Sequence, residues 1–312
     1  MDAFWTNLPP ITKGWCISTL TISTLITLKK LKFINLLFIP EKIFNQQQTW
    51  RIITTFITFN ELSFDLIIVL WEISHVCSQL ENSYSLTKSL LPYTIVSSFD
   101  QRQWDLLNSF IDRNKSIDFL YFLIQICISI IALATYLYFK FEITIINLGS
   151  ILLQSLTYYD SKITPNRQIN FFGVLIINNL YYPYFIAFLN LLTQEISKFE
   201  EITNNNNQQN QGIISKVKSF FNKPSFWMYL ISFGLGHFWW CSKELILKDL
   251  HYDNNFNLQS LKIRSNTLKQ YRVWKFDFVR ELLVMILLPP WYWIIISKIK
   301  NNQQRNQIQH PL

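Results

Sequence analysis

The chain has 312 residues, of which 50% are hydrophobic, 16% aromatic and only 15% charged. Globular proteins carry about 25% charged residues, so this deficit indicates a protein that meets lipid over much of its surface. The formal net charge is +8, but no basic stripe with interleaved aromatic residues marks a soluble nucleic-acid-binding domain. We therefore expect anionic lipid headgroups, and not nucleic acid, to be the partner of this charge.

Cysteine usage and short motifs give no sign of metal or nucleotide chemistry. The four cysteines are scattered and form no CxxC pair, which argues against both a disulfide framework and a zinc site. No Walker loop, GxGxxG or HExxH occurs, and we expect no cofactor and no metal. The N-terminus lacks a basic n-region and a small-residue cleavage site, so the first apolar segment is predicted to remain as an uncleaved anchor.

The first predicted span covers residues 11–28 and is followed by a basic, aromatic connector at 29–51. The span is rich in Ser and Thr, whose hydroxyls can bond back to the preceding turn. The connector has the pattern of an amphipathic segment that lies in the membrane surface, divided in two by Pro40. A plain surface loop is the alternative. The residues predicted to hold the connector at the lipid interface are Lys29, Lys30, Lys32, Trp50 and Arg51.

The second predicted span, at residues 62–79, carries Asp65, Glu72 and His75 at spacings that place all three on one helix face. Acidic groups at membrane depth are costly and normally face a bundle interior or a water-filled cavity. The alternative is a hydrogen-bonded network that only fixes packing. The residues predicted to form a polar cavity are Asn60, Glu61, Asp65, Glu72 and His75.

Four further spans complete a predicted total of six. They are expected at residues 117–139, 143–159, 170–192 and 225–247, with a kink at Pro183 in the third of these. Polar insertions separate them at 82–116, with helical content in QRQWDLLNSFIDR, and at 193–223, which contains NNNNQQNQ. The fold class predicted is therefore all-α, a polytopic membrane protein.

We predict two parts, a six-helix membrane domain at residues 1–247 and a basic tail at 248–312. The tail contains an apolar segment at 282–297, which Pro289-Pro290 divides into halves too short to span. It is expected to be interfacial or re-entrant, with a seventh span as the alternative. The excess of Lys and Arg after Cys241 places the tail on the cytosolic or matrix side.

Several motifs occur in a fixed order along most of residues 9–240. They are PPIT at 9–12, FIPEKIF at 38–44, WRIIT at 50–54, LENSY at 80–84, QINFFG at 168–173 and SFGLGH at 232–237. This ordered set resembles the derlins, rhomboid-like membrane proteins without protease activity. The resemblance implies a six-helix rhomboid-like bundle with an interfacial connector. It also implies that Gly173, Ser232, Gly236 and His237 serve helix packing, since Ser232 replaces the first glycine of a GxxxG pair and is still small.

The same resemblance implies that the chain is not an enzyme. Active rhomboids have a serine within GxSG on the fourth span and a histidine that precedes the GxxxG pair on the sixth. Here no glycine follows Ser150, and His237 comes after the pair. We therefore expect no catalytic residues.

Two functions follow from the resemblance and its departures. The first is retrotranslocation of misfolded proteins from the endoplasmic reticulum membrane for degradation, aided by local thinning of the bilayer. The second is a structural or accessory subunit of a large membrane complex, for example in the respiratory chain of the mitochondrial inner membrane. The long polar loops, and a tail without an obvious motif for recruiting an AAA ATPase, favour the second. The expected partners are the degradation machinery in the first case and neighbouring integral membrane subunits in the second.

Overall fold

The computed structural model describes residues 8–86, 90–92, 96, 99–171, 173, 175–192, 224–246 and 282–309. These residues are mostly helical, as predicted, with one short two-stranded hairpin that was not predicted. The predicted polar loop at 193–223 and the tail from 248 to 281 lie outside the described residues.

The chain forms two compact units. Unit 1 comprises Met1–Leu80 and Gln125–Trp240, and unit 2 comprises Glu81–Ile124 and Cys241–Leu312. The predicted boundary at residue 247 stays a prediction.

Helix α1 spans Pro10–Thr27 and begins with a proline at its first position, where a missing N–H costs nothing. The hydroxyls of Ser18, Thr21, Thr24 and Thr27 each donate to the carbonyl four residues earlier, at 2.7–2.9 Å. The predicted back-bonding is thus confirmed. It satisfies these polar side chains within the helix itself.

The connector folds into a 3₁₀ turn at Phe33–Asn35 and two short helices, α2 at Pro40–Gln46 and α3 at Arg51–Thr54. Pro40 divides the connector as predicted, because α2 begins at that proline. The residues between the 3₁₀ turn and α2 include three buried apolar side chains, Leu36, Leu37 and Phe38. This part of the connector therefore packs onto the protein.

Helix α4 consists of an α-helical part at Phe64–Glu72, a π-helical part at Ile73–Cys77 and a final turn at Ser78–Ser83. Ser63 caps its start by accepting a hydrogen bond from the backbone N–H of Leu66. A π-helical turn changes the helical phase of the residues that follow, and such turns occur often at functional sites.

Helix α5 lies at Gln101–Arg113, the predicted helical part of the polar insertion. A capping box fixes its start. The side-chain oxygen of Gln103 accepts a hydrogen bond from the backbone N–H of Asp100 at 2.9 Å, and the side chain of Asp100 accepts one from the backbone N–H of Gln103. Its exposed face carries the charged residues Arg102, Asp105, Asp112 and Arg113.

Helix α6 at Lys115–Phe141 contains the third predicted span and is followed by Glu142, whose φ of 56° redirects the chain.

Helix α7 lies at Leu148–Ile163, whereas the fourth span was predicted at 143–159. The shift arises because the side chain of Asn147 caps α7 by accepting a backbone N–H at 3.2 Å. Almost every residue of α7 is buried, which makes it the central helix of unit 1.

The fifth predicted span, at 170–192, is wrong over its first half. Strand β1 at Gln168–Phe171 pairs antiparallel with β2 at Leu175–Asn178, and Gly173 adopts a φ of +76° in the turn between them. A positive φ favours glycine, and the Phe and Ile residues of the two strands favour β structure. Helix α8 then occupies only Tyr182–Leu192. The predicted kink at its proline is absent, because that proline is the second residue of α8, where no helix hydrogen bond is lost.

Helix α9 at Pro224–Trp240 packs against α7 and continues into a π-helical turn at Cys241–Ile246. A short helix at 282–287 ends before Pro289, and α10 begins at Pro290 and runs to Gln309. The predicted break at the two prolines is confirmed. A proline is tolerated at the first position of α10 for the reason given for α1.

Among the residues that the structure describes, α6 alone is long and apolar enough to cross a membrane, and α8 is a shorter apolar helix. Helices α1, α7 and α9 have 18, 16 and 17 residues. The prediction of six spanning helices therefore stays a prediction.

Candidate functional site

Unit 1 contains a cavity of about 550 Å³ between α4, α7, α8 and α9. Its lining mixes carboxyl, amide and hydroxyl groups with apolar side chains. The lining residues are Phe59, Asn60, Asp65, Ile68, Val69, Glu72, Asn147, Ser150, Ile151, Leu153, Gln154, Asn190, Ser225, Met228, Tyr229 and Ser232. A volume of this size is in the range of pockets that bind small ligands.

Glu72 is the most deeply buried acid of this cavity, with 3% of its surface exposed. Its Oε1 accepts hydrogen bonds from Thr157 Oγ1 at 2.9 Å and from Gln154 Nε2 at 3.3 Å, both on α7. Among the described residues that line the cavity, none is basic. The carboxyl group is therefore held by neutral donors, an arrangement that lowers but does not remove the cost of burying it.

Of the five residues predicted to form a polar cavity, Asn60, Asp65 and Glu72 line it. Asp65 is exposed and lies seven residues before Glu72, which is roughly 10 Å along a helix. The two acids therefore mark an accessible and a buried part of the same cavity. Glu61 and His75 are not among the lining residues.

His75 faces elsewhere because it lies in the π-helical turn, where the spacing of an α-helix face no longer holds. Its ring stacks on Trp71 at 5.3 Å with planes 2° apart. Its Nε2 is buried and has no hydrogen-bond partner among the described residues.

A buried polar cluster at the end of α7, which the sequence analysis missed, fixes the start and end of the hairpin. Asp160 is 1% exposed and forms a salt bridge with Arg167, just before β1. Asn179, just after β2, donates to Asp160 Oδ2 at 2.9 Å and to Thr164 Oγ1 at 2.9 Å. The signal for this cluster in the sequence was the pair of opposite charges, Asp160 and Arg167, on either side of Pro165. The cluster ties the hairpin to α7.

Ser150 lines the cavity, together with Asn147, Asn190 and Tyr229. Asn190 Nδ2 donates to Tyr229 Oη at 2.8 Å. His237 lies on the exposed side of α9, where its Nδ1 is 3.2 Å from Tyr158 Oη. The cavity thus places a serine beside amide and phenol groups, and its lining contains no histidine among the described residues.

The contact between α7 and α9 depends on small residues. A Cβ atom added at Gly236 would lie 2.7 Å from the carbonyl oxygen of Ser155. Ser155 Oγ donates to the carbonyl of Ser232 at 3.0 Å, and Ser232 is 1% exposed. Ser232 and Gly236 therefore lie at the contact between α7 and α9, and their role in helix packing stays a prediction. Gly173 lies elsewhere, because it forms the hairpin turn and has no atom within 4 Å of an added Cβ.

The residues predicted to hold the connector in the interface divide into two groups. Trp50 is 53% exposed, and the three lysines at 29, 30 and 32 are exposed. Arg51, in contrast, is 2% exposed, and its guanidinium points inward to carbonyl oxygens of the connector. Its predicted role as a lipid anchor does not fit this position, since a long cationic side chain reaches lipid phosphates only when its head is exposed.

Unit 2 contains a buried cluster of its own. Asp118 on α6 is 1% exposed and accepts hydrogen bonds from Trp291 Nε1 at 3.2 Å and from Tyr292 Oη. The ammonium group of Lys243 lies 3.8 Å from the centre of the Tyr84 ring, a cation–π contact. The two hydrogen bonds to Asp118 attach the start of α10 to α6.

Among the described residues, no group of three or more His, Cys, Asp or Glu side chains is placed to hold a metal ion. The cysteines at 16, 77, 127 and 241 form no disulfide among the described residues.

Comparisons with known proteins give the following matches. A family model described as the Der1-like family matches residues 8–206. Derlin-1.2 of Zea mays is 26% identical over 192 residues, which are 61% of this chain and 65% of that protein. The match thus covers just under two thirds of the relative's length. No solved structure matches the chain.

Proposed function

The chain belongs to the Der1-like family, and from this premise we propose that it helps to retrotranslocate misfolded proteins out of the endoplasmic reticulum membrane for degradation. Membership of this family makes it a membrane protein. In this proposal it acts without catalysis, by offering a polar path through lipid and by thinning the bilayer around it.

The observation that supports this proposal best is the cavity with Asp65 at its accessible part and Glu72 at its buried part. A polypeptide segment that leaves the bilayer must bring polar backbone groups through hydrocarbon, which is costly. Polar groups on the wall of a cavity offer hydrogen bonds along the way and so lower this barrier.

A non-catalytic role is supported by the position of the residues that an active rhomboid would need. Ser150 lies in the cavity, whereas His237 is paired with Tyr158 on the exposed side of α9. A serine needs an adjacent base to become a nucleophile.

Bilayer thinning is supported by the lengths of α1 and α7, which have 18 and 16 residues. At 1.5 Å per residue these helices are roughly 24–27 Å long. The hydrocarbon core of a typical bilayer is about 30 Å thick. Lipid around short helices adapts by becoming thinner. The exposed lysines of the connector would add contacts to anionic headgroups.

The proposal is tested by following the degradation of a misfolded membrane protein in cells that carry the Asp65→Leu or the Glu72→Leu variant. Either change removes a polar group from the cavity, so we expect the half-life of the misfolded protein to rise several-fold. Glu61→Leu is the matched control, since Glu61 is an exposed acid that does not line the cavity. Unchanged half-lives in both cavity variants, at normal expression of each, would refute the proposal.

A second candidate function is that of a structural subunit in a large membrane complex, such as one of the mitochondrial inner membrane. Helix α10 favours it, because α10 lies beyond residue 206, where the family match ends, and is fixed by buried contacts to Asp118. Purification in mild detergent distinguishes the two. Stoichiometric recovery with many integral membrane subunits supports the second function, and recovery with degradation components supports the first.

A further inference from the structure

The cavity of unit 1 has an uneven distribution of charge. Its lining includes two carboxyl groups, those of Asp65 and Glu72, and no lysine, arginine or histidine among the described residues. Hydroxyl and amide groups make up the rest of its polar surface. A ligand that enters the cavity therefore meets acidic groups without a cation to balance them.

Gln154 provides a second, independent observation. Its side chain is 6% exposed and lines the cavity on the α7 side. Its Nε2 donates to Glu72, while its Oε1 is buried and has no hydrogen-bond partner among the described residues. A buried acceptor without a donor is costly, and an apolar ligand would leave that cost in place.

The buried end of the cavity thus combines the carboxyl group of Glu72 with a free carbonyl oxygen from Gln154. Both groups call for a donor, and the carboxyl groups favour one that is positively charged. Lysine and arginine side chains carry donors only and are positively charged, and each has an apolar stem that can lie along the apolar part of the cavity wall.

We propose that the cavity binds a single lysine or arginine side chain of an otherwise apolar polypeptide segment. This inference rests on the proposed function, and it names the class of segment that the site selects. A basic residue is among the most costly residues to place at membrane depth, so such a segment gains most from an acidic cavity. An acidic residue at the same place meets Asp65 and Glu72 and is rejected.

The test uses the full-length protein in phosphatidylcholine nanodiscs and three synthetic peptides. Each peptide is a leucine–alanine helix of about 21 residues, long enough to span a bilayer, with lysine, methionine or glutamate at its centre. A photoreactive amino acid at position 228, on the cavity wall, reports occupation by covalent cross-linking. We expect the lysine peptide to cross-link about tenfold more than the methionine peptide, a difference typical of one charge-assisted contact, and the glutamate peptide least of all.

Two variants and a control assign this preference to the cavity. Glu72→Gln keeps the shape and the acceptor atom of the side chain, and Asp65→Asn changes an exposed residue, so both are expected to fold. Together they should reduce the preference for lysine to nearly none. Glu61→Gln, an equal change of charge outside the cavity lining, should leave it intact.

Three results would overturn the inference, and they separate it from the proposed function. Equal cross-linking of the three peptides removes the selection for basic residues but leaves the proposed function standing. No cross-linking of any peptide contradicts both. If the preference for the lysine peptide disappears when phosphatidylethanolamine is added, the ligand of the cavity is the amine of a lipid headgroup.

Discussion

At the scale of single residues, Arg51 determines the path of the connector. Its guanidinium donates to the carbonyl oxygens of Ile34 and Leu37 at 2.7 and 3.0 Å and to Gln48 Oε1 at 2.7 Å. Burial lowers the pKa of Arg51, but a guanidinium stays protonated at any pH that the protein meets. In the pair Trp50-Arg51, the ring of Trp50 is therefore exposed, whereas the buried guanidinium of Arg51 holds the two parts of the connector together.

We predict that Arg51→Met lowers the free energy of unfolding by roughly 3 kcal/mol, because it leaves buried carbonyl oxygens without donors. Arg51→Lys should restore part of this loss, since an ammonium group cannot reproduce the fork of an arginine. Thermal unfolding in detergent measures both changes. Lys32→Met removes an exposed charge of the same connector and should change stability by less than about 0.5 kcal/mol. Equal stability of Arg51→Met and Lys32→Met would show that Arg51 does not hold the connector.

At the scale of elements, the close approach of α7 and α9 depends on which glycine faces the partner helix. An added Cβ at Gly236 would meet the Ser155 carbonyl at 2.7 Å, and backbone atoms cannot move aside as a side chain can. An added Cβ at Gly234 would meet nothing within 4 Å. The cavity lies between these helices and others, so their separation affects its shape.

We predict that Gly236→Ala destabilises the protein by about 1–3 kcal/mol, the usual cost of overpacking. Gly234→Ala is the matched control on the same helix, and it should be neutral or stabilise by up to about 1 kcal/mol through its higher helix propensity. Unfolding midpoints in one detergent compare the two. If both variants lose the same stability, the close contact at Gly236 is not what holds α9 against α7.

Helix α10 allows a similar test in unit 2. Tyr292→Phe removes the hydroxyl that donates to the buried Asp118 and leaves the ring in place. We predict that hydrogen exchange of backbone amides at 290–299 becomes about tenfold faster, because losing a hydrogen bond to a carboxylate costs about 1.5–3 kcal/mol. Exchange measured by mass spectrometry reports it, with Tyr181→Phe, an exposed tyrosine of unit 1, as the control. Unchanged exchange would mean that other contacts hold α10.

The sequence predicted those features that depend on local chemistry. Pro40 and Pro290 begin helices where a break was expected, and Asp65 and Glu72 share a cavity because an α-helix places residues seven apart on one face. His75 was predicted to share that face, but it does not line the cavity because a π-helical turn begins at Ile73. Such a turn has no reliable signal in a single sequence.

Features that depend on distant partners could not be predicted. The run FFGVLII at 171–177 is apolar enough for a helix or a strand, and periodicity alone does not separate the two. The donors that hold Glu72 come from Gln154 and Thr157, more than eighty residues later in the chain. The inward orientation of Arg51 depends likewise on carbonyl groups that only the folded connector exposes.

At the scale of the whole molecule, the helix lengths argue for a preference among bilayers. Helices α1 and α7 are short for an average bilayer, at roughly 24–27 Å against about 30 Å, whereas α6 has 27 residues and can tilt. A bilayer thinner than average covers the short helices without distortion, and each ångström of mismatch costs a fraction of a kcal/mol.

We therefore predict that the unfolding midpoint in nanodiscs falls steadily as the lipid acyl chains are lengthened from 14 to 22 carbons. The reason is that longer chains increase the mismatch at α1 and α7. A membrane protein whose spans have about 20 residues is the control, and it should be most stable near the middle of the series. Highest stability of this chain in the thickest bilayer would contradict thinning as part of its function. It would then be the polar cavity alone, and not a change in the surrounding lipid, that lowers the barrier for a segment leaving the membrane.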